Sequence, residues 1–280
     1  MKRIFTRYFK VSLLHYLLNP YLWFWAIFFM SFWAAMGAFV FSRETPPAYV
    51  QYHFAAIFGQ LLILCIGSIA ISIVQSIYYA SFSIRFVTKF SRLNSGRFYV
   101  EHSLSTILAL IVFSLILWML QLSFYFIKFR EIYLPKKPLG TILALVLSAC
   151  FMYVFSVFIT YLTICSRKGM MRSFASYIPL MLSFVAYAGF WIDFQKLCPF
   201  LPFYLISAIT YYFYMDQKPY TGDIINNLIF QSHHGYVNKE GILEPSLAII
   251  SMIAWIIILS ILSIFLIKKA RGISIEELQL

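Results

Sequence analysis

Six long apolar runs recur along the chain, each bounded by a short polar break, and this spacing limits the fold more than any other feature. They cover about 21–41, 54–79, 104–127, 139–164, 174–192 and 247–267. A helix of roughly 20 apolar residues crosses the hydrocarbon core of a bilayer. The chain is 62% hydrophobic and only 11% charged, so a soluble domain of 280 residues could not hide its apolar surface. The expected architecture is all-α: one polytopic membrane domain over 1–280 with six transmembrane helices. Residues 1–18 place Lys2, Arg3, Arg7 and Lys10 on one side of a helix and Ile4, Phe5, Tyr8, Phe9 and Val11 on the other, the pattern of an interfacial helix. Asn19-Pro20 ends it and opens the first span.

The net charge of +12 raises the question of nucleic acid, and its distribution answers it. Fourteen of the 22 Lys and Arg fall in the N-terminus, 85–102, 166–172 and the C-terminus, against three of the ten acids. The alternate loops are nearly neutral. Cytoplasmic loops carry the excess of Lys and Arg, which puts both termini inside. The charge is thus a topology signal, and a basic face on a folded soluble surface, which nucleic-acid binding needs, is not expected.

The densest basic stretch is Arg85–His102, between the second and third runs. Arg85, Lys89 and Arg92 follow i, i+4, i+7, with Phe86, Phe90 and Leu93 one residue on, and Arg97 follows Asn94-Ser95-Gly96. This reads as a short amphipathic helix where cytoplasm meets membrane, then a break. It is either a handle for a cytoplasmic partner or a plain topology-setting loop. A second basic loop holds Arg167, Lys168 and Arg172.

On these boundaries no Asp, Glu, Lys or Arg lies deep inside a span. That disfavours an ion-coupled transporter or a voltage sensor, both of which need intramembrane charge. No Gly-x-x-x-x-Gly-Lys-Ser/Thr phosphate loop is present, so any ATP-driven work draws on another chain. The spans carry polar stripes at helical spacing instead: Ser68, Ser72, Gln75, Ser76 and Tyr79; Tyr153, Ser156, Thr160 and Thr163; Ser173, Ser176, Ser183 and Tyr187, with Pro179 as a kink. Each stripe either packs helix on helix, as Ser and Thr do in membranes, or lines a pathway. Gln60 and Gln75 demand more, because a buried amide needs partners. The second and fifth spans are the expected lining, with Ser68, Ser72, Gln75, Ser76, Ser183 and Tyr187 as its residues.

The segment 193–245 is expected outside. Its aromatic run, Tyr204 to Tyr214, is too short to span and reads as a re-entrant or interfacial helix. His233-His234 has no ligand cluster around it and reads as a turn, not a metal site. Glu101-His102 sits at a span entrance without a nucleophile and is not read as catalytic. The four cysteines read as small apolar residues. No catalytic constellation is expected in this chain.

This order of parts resembles the permease subunit of ABC transporters of the ABC-2 type, an exporter class. The resemblance rests on the interfacial helix ending in Asn19-Pro20, six spans with both ends inside, basic loops after the second and fourth spans, and the longest outward segment after the fifth. Phe90-Ser-Arg-Leu-Asn-Ser-Gly-Arg-Phe-Tyr resembles the family's loop before the third span, without the acid that usually precedes its Gly. The resemblance implies a pair of permeases, this chain with a second copy or a homologue, working with two cytoplasmic ABC ATPases that hold ATP and Mg. Arg85–Gly96 would match the coupling helix and Ser166–Arg172 the second contact. Membrane lipid is its surroundings, and a prokaryotic plasma membrane its expected location. A non-transporting anchor or regulatory subunit shares the same topology and stays open.

Overall fold

The computed structural model describes residues 2–43, 45–90, 95–166, 171–224, 227 and 241–270; over 2–7, 82–90, 95–98 and 171–173 only the backbone is described. Among the described residues the chain is helical, with two isolated β-bridges and no strand. The helices are α1 (Lys2–Leu17), α2 (Pro20–Phe41), α3 (Val50–Phe90), α4 (Ser95–Phe129), α5 (Pro138–Ser166), α6 (Met171–Tyr187), α7 (Pro202–Met215) and α8 (Pro245–Ala270).

Proline and its neighbours set the starts. The Asn19 side chain accepts from Tyr21 N at 3.0 Å, and Pro20 takes the first turn of α2, where its missing N–H costs nothing. Proline likewise opens α5, α7 and α8. Left-handed residues close two helices: Arg130 (φ 59°) follows α4, and Asp216 (φ 54°) follows α7 with its N–H on Tyr212 O at 2.8 Å. α2 is not uniformly α-helical. Wider π turns, Trp23–Phe28 and Gly37–Phe41, flank its central α segment.

Among the described residues, five helical segments are long and apolar enough to cross a membrane: Pro20–Phe41, Pro47–Ser81, Tyr99–Phe129, Pro138–Ser166 and Pro245–Ala270. The expected fifth span is shorter. Its α-helix covers 17 residues, and a tighter 3-10 turn, Ala188–Phe190, extends it. The expected short amphipathic helix at Arg85 is also not a separate element. α3 runs unbroken for 41 residues, about 60 Å, and Ser95 and Gly96 belong to the first turn of α4. Hydropathy marks where lipid ends, but a helix has no reason to stop there.

α3 is the axis of the bundle. From Phe54 to Ala70 every residue on it is buried, covered by α4, α5, α6 and α7, with α2 alongside. Two glycines let neighbours approach. A Cβ at Gly59 would lie 3.1 Å from the backbone of Ser207 on α7, and one at Gly67 would lie 2.2 Å from Ser183 Oγ on α6. Such small-residue contacts suit an environment where lipid is as apolar as the helices and packing comes from close fit. α7 is itself buried on nearly all sides by α3, α5, α6 and α8, unlike a helix lying on a surface. α8 buries Ala248, Met252, Leu259 and Ser263 and exposes a face of Ile, Leu and Phe.

Aromatic contacts lock the α7 end of the bundle. Tyr214 of α7 packs on Phe54 and Phe58 of α3, donates its hydroxyl to Tyr133 O, and accepts from Trp118 Nε1 of α4 at 3.2 Å. Tyr125 of α4 and His53 of α3 share a hydrogen bond at 2.9 Å. Lys137 pairs with Asp216 across the same end, and the carboxylate raises the ammonium's pKa.

Candidate functional site

The polar stripes of three helices meet at one place. Val74, Gln75, Tyr78 and Tyr79 of α3, Thr160 and Thr163 of α5 and Ser176 of α6 line a crevice. Its free volume is about 20 Å³, room for about one water. The same end of α3 leads on to Arg85 and Lys89. Gln75 and Tyr79 are exposed at the rim, while Thr160 and Ser176 are buried. Thr160 Oγ1 donates to Ser156 O at 2.7 Å and reaches Val74 O at 3.4 Å, tying α5 to α3. Thr163 donates to Ile159 O at 2.8 Å. The hydroxyls therefore satisfy themselves on their own helices and still present oxygen atoms to the crevice.

The expected pathway residues divide. Gln75 lies at the crevice. Ser68 is buried and donates to Cys65 O at 2.7 Å. Ser72 and Ser76 are half-buried, and Ser76 turns toward Tyr16 of α1. Ser183 is buried against Gly67, its hydroxyl on Pro179 O at 2.8 Å. Tyr187 stacks edge-on with Phe190 and Trp191 in an aromatic group at the end of α6. So the seam between α3 and α6 is open at the crevice and shut at Gly67–Ser183.

Of the expected partner-contact residues, Arg85 and Lys89 stand on the last turns of α3 and Arg97 on the first turn of α4, with side chains outside the described residues. Arg92, Arg167 and Lys168 lie outside the described residues altogether, as do His233 and His234.

One buried group corrects the sequence reading. Glu101 is fully buried and His102 nearly so; they stand near the entrance of the span, as expected, but inside a helix and not in a loop. α4 begins at Ser95, so Glu101 stands almost two turns inside a helix that packs against α1 and α5, with Tyr8 of α1 nearby. The His102 ring lies 6.2 Å from Tyr16 of α1 and 6.1 Å from Tyr153 of α5, and its Nδ1 shares a 2.9 Å hydrogen bond with Thr106. Ser105 donates to Ser12 of α1 at 2.8 Å, and the hydroxyls of Tyr99 and Tyr161 bond α4 to α5. Burial, then the nearby Tyr16 and Glu101, push the Tyr8 phenol above its ordinary range. These polar contacts dock α1 onto the bundle. Their sequence signal was the Ser12/Tyr16 spacing within an otherwise apolar face of α1, which amphipathicity alone does not single out.

No family model, curated protein or solved structure matches this chain.

Proposed function

We propose that this chain is the membrane-spanning permease subunit of an ATP-driven ABC exporter of the ABC-2 type. It spans the membrane six times with both ends in the cytoplasm, pairs with a second copy or a homologue, and couples to separate ATPase subunits. Those subunits, not this chain, hold ATP and Mg. One observation carries the reading: polar residues of α3, α5 and α6 converge on a crevice, and α3 continues from it without a break toward the basic tip at Arg85 and Lys89. A rigid helix of that length suits a lever. Force applied to the tip moves the crevice, with no soft joint to absorb it. The exposed Gln75 and Tyr79 beside it offer a polar face to a second permease. ATP binding would draw the motors together and shift the pair between two populated states.

A second reading is a membrane anchor or regulatory subunit that transports nothing. The tight Gly67–Ser183 contact favours it, since it closes the seam beyond the crevice. Affinity purification from mild detergent tests the main reading. An ABC ATPase that co-purifies, and whose ATP hydrolysis changes when this chain is present, supports the permease. No ATPase from a preparation with the bundle intact removes it. An ATPase retained on a seam that stays shut in every nucleotide state identifies the anchor.

A further inference from the structure

We infer that the α3–α6 seam is a gate, closed at Gly67–Ser183, and that its opening brings the Gln60 amide to water or to a polar group of the cargo. The inference deepens the transport reading and rests on the seam being the path. Gln60 stands near the middle of the buried part of α3, fully buried, and neither its Oε1 nor its Nε2 has a protein hydrogen-bond partner among the described residues. An amide without partners in an apolar interior is costly, and buried polar side chains are otherwise nearly always satisfied. A group left short in one state is accounted for when a second state supplies its partner.

Helical phase says where that partner comes from. Gln60, Gly67, Val74 and Tyr78 recur at i, i+7, i+14 and i+18, which puts them on one side of α3. Gly67 on that side touches α6, and Val74 and Tyr78 share the crevice with Ser176 of α6. On α6, Ser176 and Ser183 are also seven apart and both buried. The crevice, the Gly67–Ser183 contact and Gln60 therefore follow one another along a single seam. α6 is the element suited to move. It is short, contains Pro179 and exposes Phe174, Tyr177, Met181, Phe184 and Val185 on its outer face. Proline removes one hydrogen bond from the helix ladder and weakens it there.

Closure depends on the missing side chain at Gly67. A Cβ there would stand 2.2 Å from Ser183 Oγ and 2.9 Å from Ser183 Cβ, so Gly67→Ala must part the helices or turn Ser183 aside. The test is labelling of a Gln60→Cys variant by a cationic, membrane-impermeant methanethiosulfonate in proteoliposomes opened to both sides. The parent chain, with its four native cysteines, serves as the blank. Labelling is expected to be slow with Gly67 present and at least about 10-fold faster with Gly67→Ala. Adding Ser183→Gly should return it to the slow rate. Phe54→Cys, on another side of α3 against Tyr125, should not respond. No acceleration, or acceleration at Phe54→Cys as well, overturns the gate.

A second measurement needs no glycine variant. Gln60→Leu should raise the thermal midpoint in detergent by a few degrees, because it removes an unpartnered amide from the closed state. A fall of several degrees would show the amide already satisfied, and overturns the gate too. Neither assay involves an ATPase, so failure here leaves the motor-coupling reading to its own test.

Discussion

At the scale of single residues, close approach sets the cost of adding a methyl group to the glycines of α3. Gly59 meets backbone atoms of Ser207, which cannot rotate away, whereas Gly67 meets a side chain. Gly59→Ala is expected to destabilise by about 1–3 kcal/mol, as overpacking does, read as a lower thermal midpoint. Gly241→Ala is the control: among the described residues nothing comes nearer than 3.6 Å to a Cβ there, and its midpoint should hold. Equal losses at both positions would contradict the packing argument. Tyr214 is a different case. Its hydroxyl joins α7 to Tyr133 and Trp118, and burial holds the phenol in its neutral, donating form. Tyr214→Phe strands the buried Tyr133 carbonyl and the half-buried Trp118 N–H and should cost about 1–3 kcal/mol, with faster proteolysis or exchange confined to α7 and the turn at 130–137.

At the scale of elements, what lay open in the sequence was whatever lipid dictates. Span existence follows from apolar length, and the expected starts near 21, 139 and 247 fall within two residues of Pro20, Pro138 and Pro245, which open the observed helices. Where helices leave lipid, hydropathy is silent, which hid the continuation of α3 to Phe90 and the start of α4 at Ser95. The crevice was partly legible, because Gln75, Thr160, Thr163 and Ser176 repeat at helical spacing on their own segments. Their meeting was not, since it depends on how three helices rotate against each other. Glu101 was missed for the same reason: its burial comes from α1, a hundred residues away in sequence. α8 supplies a check on orientation. Tryptophan at Ile257 or Ile261, both exposed, should leave the midpoint and yield unchanged, while Met252→Trp or Leu259→Trp, on the buried side, should reduce both. Loss at the exposed positions as well would mean that α8 faces another protein chain.

At the scale of the whole molecule, the bundle joins three things along one axis: a basic tip, a polar crevice and a sealed seam. The tip is where a partner would push, the crevice is where polar groups gather, and the seam is what would part. That order gives the proposed permease a mechanical direction, from cytoplasm toward the bundle interior. It also states what must fail together. In the proposed complex, reversing the charges of Arg85, Lys89 and Arg92 should uncouple the motor without unfolding the bundle, because Arg85 and Lys89 lie beyond the candidate span Pro47–Ser81 and Arg92 follows them in sequence. The most direct measurement is the amount of ABC ATPase retained on the affinity-purified chain, wild type against the triple Arg85→Glu, Lys89→Glu, Arg92→Glu variant, both checked for an unchanged thermal midpoint. The account predicts an ATPase held by the wild type and lost from the variant. Its contradiction is an intact wild-type bundle with no ATPase, or equal retention by both.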